Sequence, residues 1–132
     1  MNKLCPCGSQ QMAADCCLAI ISGKRQAATA QELMRSRYVA FTQANGAYLM
    51  RSHHPKTRPV KEQKAIESWA KSVQWMGLQI LNTQGGQAND SSGYVEFKAL
   101  YLENGQLQQI HENSFFKKEQ GQWLYYSGVH KG

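Results

Sequence analysis

The sequence predicts an α+β fold in which helices come first and an antiparallel sheet follows. Three observations carry that prediction. Apolar residues recur at helical spacing as far as Ser72, and from Val73 onward the period shortens to two. Asn104-Gly105 then sits between two alternating runs, the strongest short-range hairpin signal available, because a type I′ turn needs positive φ at both central positions. Finally, all four cysteines fall within the first seventeen residues. They set off a small N-terminal module, residues 1–25, from a body spanning residues 26–132. Helices followed by strands, without βαβ alternation, place the helices on one face of the sheet.

The cysteine stretch runs Cys5-Pro6-Cys7-Gly8-Ser9, then a short polar link, then Cys16-Cys17. Tetrahedral zinc takes four soft or borderline ligands, and four thiolates meet that need without help from the rest of the chain. Pro6 and Gly8 suit a tight knuckle whose backbone amides turn toward the sulfurs and offset their charge. The spacing departs from the usual C-x2-C. One pair is C-x-C and the other is adjacent, so a sharp local bend must make them converge. Paired disulfides and free buried thiols are the competing readings. No secretory leader precedes the cysteines, and adjacent Cys16 and Cys17 are poor partners for each other. The expectation is therefore one zinc on Cys5, Cys7, Cys16 and Cys17, in a protein of the cytoplasm. Because the body has apolar residues enough for a core of its own, chelation should unfold the knuckle and leave the rest folded.

After the knuckle, Leu18-Ala19-Ile20-Ile21 reads as an apolar helix stub that packs the module on the body, and Ser22-Gly23-Lys24-Arg25 breaks it. Thr29-Ala30-Gln31-Glu32 has the form of a capping box, hydroxyl and carboxylate each satisfying a free amide. The helix it starts runs from Ala30 to about Ala44. Its inner face carries Ala30, Leu33, Met34, Arg37, Tyr38 and Phe41, with Arg35 and Val39 pointing the other way. Asn45-Gly46 ends it, and a second short helix carries Tyr48, Leu49 and Met50. Pro55 and Pro59 forbid a continuous helix across the next segment. Val60 to Ser72 is helical again, with Ile66, Trp69 and Val73 facing inward.

Trp75 to Leu81 reads as the first strand, followed by Gly85-Gly86 and a polar loop through Ser92. Gly93 to Leu102 alternates, with Val95, Phe97, Ala99 and Tyr101 on one face and Tyr94, Glu96, Lys98 and Leu100 on the other. The return strand runs from Leu107 to Lys118, Glu119-Gln120-Gly121 turns, and Trp123 to Val129 is the last strand. The result is a meander of three or four strands.

At the cysteines the chain resembles the SEC-C motif, the zinc knuckle at the end of the bacterial export ATPase SecA. Cys5, Cys7, Cys16 and Cys17 stand at the ligand places, and Gln10 to Asp15 replace the lysine-rich link of the SecA version. A second resemblance runs from Cys5 almost to the C-terminus. It rests on Leu33-Met34-Arg35-Ser36-Arg37-Tyr38, His54-Pro55 with Thr57-Arg58-Pro59, Trp75 with Gly77-Leu78, and Val95-Glu96-Phe97. His111-Glu112 with Ser114 and Phe116, and Gly121 with Trp123, complete it. Together and in that order these are similar to the YchJ-like family, an uncharacterised bacterial group with an N-terminal SEC-C motif and a middle domain like nuclear transport factor two. The resemblance implies a cone, cystatin- or SnoaL-like, of curved sheet closed by helices, with a pocket at its wide end. It implies no known activity.

Among polar residues placed on core-facing positions, Arg37 and Glu112 come first. Glu112 shares a strand face with Ile110, Ser114 and Phe116 by period two. An acid and an arginine both turned inward suggest a partly buried ion pair that either fixes helix against sheet or lines a pocket. His53 and His54 flank a proline turn, and of the two His54 matches the family's His-Pro. Tyr38 and Trp69 complete the pocket candidates. No serine sits on a glycine elbow, and no GxxxxGK or GxGxxG occurs, so neither a catalytic triad nor nucleotide phosphate binding has support; no catalytic residue is assigned.

A formal charge of +6 on 132 residues favours anionic partners in general. The densest basic stretch, Arg51 to Lys64, is nevertheless diluted by prolines and histidines, so specific nucleic-acid binding is not expected. No apolar run is long enough to span a membrane. The leading expectation is a zinc-binding adaptor with a protein partner on the knuckle, and a homodimer through the cone is a further arrangement open to it. A small-ligand binder or enzyme using Arg37, His54 and Glu112 is the alternative, with ribosome or nucleic-acid association weaker still.

Overall fold

In the computed structural model, which describes residues 3–131, helices α1 (Cys17–Ser22), α2 (Ala30–Thr42), α3 (Gly46–Arg51) and α4 (Gln63–Ser72) precede every strand. The strands are β1 (Gln74–Gly85), β2 (Ser92–Glu103), β3 (Gln106–Glu119) and β4 (Gln122–His130). They form one antiparallel sheet in chain order. The α+β class and the antiparallel meander are as the sequence predicts, and of the three or four strands expected the sheet has four.

Local chemistry accounts for the boundaries. Thr29 Oγ1 accepts the Glu32 amide at 3.1 Å, while the Glu32 carboxylate reaches back one residue further than a standard box, to the Ala28 amide at 2.8 Å. Gly23 ends α1 in the left-handed region, where a side chain would be strained. Asn104 and Gly105 both take positive φ at the β2–β3 turn, as a type I′ hairpin requires. Strand β1 extends past Leu81 to Gly85, because Asn82, Thr83 and Gln84 pair with Glu96, Val95 and Tyr94 despite their polarity. Two irregularities, between Trp75 and Gly77 and between Ile80 and Asn82, bend that strand and aim Trp75 and Ile80 at the helices. Val60–Glu62 forms a short 3-10 turn before α4, so the expected helix from Val60 starts three residues late.

Helix α2 lies across the inner face of the sheet. Leu33, Met34 and Tyr38 pack with Val95, Phe97, Ala99, Phe116 and Trp123 in one core. Its other side is not free, and here the expectation from helical periodicity fails. Val39 is 1% exposed, and Arg35 donates to the Cys7 carbonyl. The N-terminal knuckle covers that side, so α2 is buried on two faces and a single amphipathic stripe could not describe it. All four cysteines, with Ala13, belong to the same core as the sheet residues. The knuckle therefore has no core apart from the body's.

The segment Ser52–His54 runs beside β4. Tyr125 donates its amide to the Ser52 carbonyl at 2.9 Å, and His54 donates its amide to the Tyr125 carbonyl at 2.8 Å. This short parallel bridge holds both histidines against the end of the sheet. Among the described residues, no helix is long and apolar enough to cross a membrane.

A buried cysteine cluster and a cavity in the cone

Two places gather chemistry. In the first, Cys5, Cys7, Cys16 and Cys17 are all buried, and their sulfurs lie within 4.8 Å of one another. Cys7 Sγ is 3.7 Å from Cys16 Sγ, which is 3.9 Å from Cys17 Sγ. Those separations are far too long for a disulfide, whose S–S bond is about 2.05 Å. A tetrahedral ion with metal–sulfur bonds of about 2.3 Å would hold its ligands about 3.8 Å apart. The four sulfurs thus fit a metal cage. Gly8, at φ +85°, turns the chain after Cys7 and donates to the Cys5 carbonyl at 3.2 Å, and the Cys5 amide donates to the Gln11 carbonyl at 2.8 Å. Ser9 Oγ lies 3.2 Å from Cys16 Sγ.

The thiols also compete for charge. The Cys17 side chain holds Cys7 below the ordinary thiol range, with Ser9 helping against burial. Cys17 is pushed far up, first by its bond to Cys7, then by burial and by the charges of Cys7 and Cys5. Four thiolates so close cannot ionise together unless a cation joins them, which is the chemistry a divalent metal supplies.

The second place is a cavity of about 270 Å³ between the helices and the sheet. Tyr38, Phe41, Trp69, Trp75 and Phe97 supply an aromatic wall, and Met34, Leu49, Ile66, Ala99 and Ile110 an aliphatic one. Trp69, Trp75 and Tyr101 meet edge to face or tilted, with ring centroids 5.3–5.5 Å apart. Trp69 Nε1 is fixed by the Glu103 carboxylate at 3.2 Å. Arg37, His53, Glu112, Tyr125 and His130 line the same cavity.

Arg37 and Glu112 both face the cavity, as strand and helix periodicity predict, but among the described residues they form no ion pair. Arg37 Nη1 donates to the Leu49 carbonyl at 2.9 Å and to Ser52 Oγ at 2.7 Å, and its guanidinium lies 4.6 Å above the Tyr125 ring. Glu112 Oε2 accepts from Ser114 Oγ and from Tyr125 Oη, the latter at 2.9 Å. Tyr125 stands between the two charges and serves both. Burial lowers the Arg37 guanidinium to about 10, against upward pulls from Tyr125, Tyr48 and Glu112, so it stays charged at neutral pH. Gly128 makes room for this arrangement, because a Cβ there would collide with the Glu112 carboxylate and the Tyr125 hydroxyl.

The histidines exchange the places the sequence suggests. His54 is buried but does not line the cavity. Its Nδ1 accepts the Lys56 amide at 3.1 Å, so Nε2 carries the proton and donates to Glu119 at 2.8 Å. With both ring nitrogens committed, His54 ties the proline turn to β3. His53 is the cavity residue. Thr57 Oγ1 spends its proton on the Tyr126 carbonyl at 2.7 Å and therefore accepts from His53 Nε2 at 3.0 Å, which leaves His53 Nδ1 as a lone pair. Burial, then the charges of Arg37 and Arg58, lower His53 to about 4. It is neutral at physiological pH and too weak a base for proton abstraction there. Tyr125 and Gly128 carried no sequence signal beyond their strand positions. A larger, open groove of about 640 Å³ beside Pro6, Thr42 and Gly77 has Lys71 as its one charged lining residue, and it gathers no comparable set.

The family model described as the YchJ middle NTF2-like domain matches residues 29–128, and the SEC-C motif matches residues 1–19. The chain is 42% identical over 128 residues to a UPF0225 protein of Geobacter sulfurreducens, covering 97% of this chain and 80% of that one. It is 41% identical over 131 residues to a UPF0225 protein of Photorhabdus laumondii, covering 98% and 82%. Among solved structures it resembles the solution structure of a SEC-C motif containing protein from Rhodopseudomonas palustris, with TM-score 0.86, 30% identity and full coverage of both chains. The crystal structure of a SEC-C motif containing protein from Psychrobacter arcticus gives TM-score 0.81 at 28% identity, covering 98% of this chain and 84% of that one.

Proposed function

The chain belongs to the YchJ-like UPF0225 family, and from that premise we propose that it is a small-ligand-binding protein whose cone is stapled by a zinc knuckle. The observation that carries this is the fate of Arg37 and Glu112. A purely structural pair would neutralise itself across the core, whereas these two turn to neutral partners and leave charge facing a cavity. A mostly apolar pocket with a few convergent polar groups is the usual form of a small-molecule site. Zinc is the metal of choice for four thiolates in a closed, buried cage. That closure assigns the metal a structural part, with no open position for a substrate.

The test is a thermal-shift panel of small apolar carboxylates, amines and alcohols on the metal-loaded protein. Hits should vanish in Ala99→Phe, which fills the cavity from a residue that is 4% exposed. Hits that survive the filling would place the ligand elsewhere and remove the proposal. The adaptor reading keeps one observation of its own. Leu4, Met12 and Leu18 are exposed around a cleft with Pro6 and Val39, an apolar patch on the knuckle suited to a protein partner. Polar replacement of all three should then abolish partner capture without touching ligand binding. Specific nucleic-acid binding is not proposed, since Arg51 and Arg58 are tied to the Ile21 and His53 carbonyls.

A further inference from the structure

The polar end of the cavity has an unusual inventory of unused bonding capacity. Arg37 spends Nη1 on Leu49 and Ser52, and Nε and Nη2 have no hydrogen-bond partner among the described residues. His53 Nδ1 likewise has none, since its partner Thr57 is on Nε2. Glu112 Oε2 is doubly satisfied, while Oε1 has only the exposed His130 imidazole at 3.5 Å. Among the described residues, no buried side-chain nitrogen or oxygen is both unpaired and sealed away. The unused atoms of Arg37 and His53 are therefore open, and the space both residues line is the cavity.

Sorted by chemistry, the free capacity falls into two sets. Arg37 offers a planar pair of N–H donors carrying positive charge, which wants a carboxylate. Glu112 Oε1 and His53 Nδ1 offer acceptors, one of them negatively charged, which want an ammonium. A simple carboxylate would satisfy Arg37 and be repelled by Glu112, and a simple amine would meet the reverse conflict. Only a head group carrying both charges answers both sets. Beyond it the aromatic wall of Phe41, Trp69, Trp75 and Phe97 takes an apolar body. About 270 Å³ is just below the roughly 300–1,000 Å³ of drug-sized sites, which limits that body to a small one.

We propose that the cavity binds a zwitterionic α-amino acid with an apolar or aromatic side chain, its carboxylate on Arg37 and its ammonium on Glu112 and His53. This rests on the small-ligand reading above. The neutrality of His53 at physiological pH supports it, because a protonated imidazole would repel the ammonium it is asked to receive.

The experiment titrates the metal-loaded protein with four probes of one shape family: L-phenylalanine, 3-phenylpropionate, 2-phenylethylamine and uncharged ethylbenzene. Binding is followed on the indole N–H resonances of Trp69 and Trp75, with Trp123, which is outside the cavity, as internal reference. L-phenylalanine should bind about tenfold or more tighter than either single-charge probe, the worth of one charge-assisted contact. Glu112→Gln should weaken L-phenylalanine about tenfold and leave 3-phenylpropionate unchanged or tighter, a split that general loosening of the site would not produce. Ethylbenzene binding at Trp69 and Trp75 with L-phenylalanine no tighter would overturn the head-group assignment and leave the cavity a ligand site. If none of the four moves those resonances, both the assignment and the small-ligand reading fall.

Discussion

The knuckle and the cavity both bury charge, and they handle it in opposite ways. In the knuckle, four sulfurs within 4.8 Å share one deficit, which a single cation would answer at once. The four candidate ligands fall within thirteen residues of chain, and each of them is buried. In the cavity, Arg37 and Glu112 come from a helix and a strand far apart in sequence, and each is satisfied only halfway by neutral neighbours. A closed site of this kind gives stability and an open one gives recognition. The contrast is weakest where the two regions touch, along α2, whose opposite sides carry Val39 toward the knuckle and Arg37 toward the cavity.

Metal removal tests that contact with the largest expected effect. Purified without chelator, the protein should contain one zinc per chain, and Cys7→Ser should lose it. Because the cysteines share the core of Leu33, Met34 and Val39, chelation should do more than unfold a detached knuckle. It should lower the stability of the whole chain by at least about 4 kcal/mol, the linkage expected when metal is present far above its dissociation constant. Thermal melts with and without chelator measure this, and an unchanged melt of the body would restore the two-core picture. The second effect lies in the cavity wall. Gly128→Ala puts a methyl where the Glu112 carboxylate sits, so it should cost about 3 kcal/mol in a denaturant titration. Shortening the acid as well, in Gly128→Ala with Glu112→Ser, should recover part of that loss.

The difference between the regions also explains what was legible in the sequence. A ligand set confined to Cys5–Cys17 is read directly, because spacing alone brings the thiols together. The capping box at Thr29 and the Asn104-Gly105 turn are local in the same sense. Period two on β3 places Glu112 inward, and period 3.6 on α2 places Arg37 inward, so both cavity charges are readable as facing the core. Their partners are not. Whether Arg37 reaches Glu112 depends on Tyr125, which arrives from β4 through a pairing that no local pattern encodes. The choice between His53 and His54 depends on which way one short segment lies against β4. Helical period alone turns Val39 and Arg35 outward, because it does not reveal that the knuckle covers that side of α2.

Next in size is a pH effect confined to the cavity. His53 is held at about 4, below its ordinary 6.5, by burial and by Arg37 and Arg58. Between those values the unfolded chain takes up a proton that the folded chain refuses. Stability therefore rises with pH through that window and is lost as the pH falls, by an amount on the order of 2 kcal/mol. In His53→Gln the profile should be flatter from pH 6.5 to 4.5, since that proton uptake is gone. Denaturant titrations of the two proteins across this window measure the difference. Parallel profiles would show that His53 titrates normally and sits in a wetter site than its burial suggests.

The smallest expected effect is the coupling between Arg37 and Glu112, and it bears most directly on why the cavity differs from the knuckle. A buried ion pair loses about 3–5 kcal/mol when one partner goes, and most of that reappears as coupling in a double-mutant cycle. Here Arg37 is held by Leu49 and Ser52, Glu112 by Ser114 and Tyr125, and the Tyr125 side chain is the one group they share. Arg37→Met should destabilise by about 2 kcal/mol, by leaving the Leu49 carbonyl only the long Ser52 Oγ contact at 3.4 Å, and Glu112→Gln by about 1 kcal/mol. Their coupling should stay below about 1 kcal/mol, so Arg37→Met with Glu112→Leu should not return the stability that a broken ion pair would. Tyr125→Phe keeps the ring under the guanidinium and removes the hydroxyl from the carboxylate. In that background the residual coupling should fall toward zero. A coupling of several kcal/mol that survives Tyr125→Phe would mean that the two charges meet directly in solution, closing the polar end of the cavity as firmly as a metal would close the knuckle.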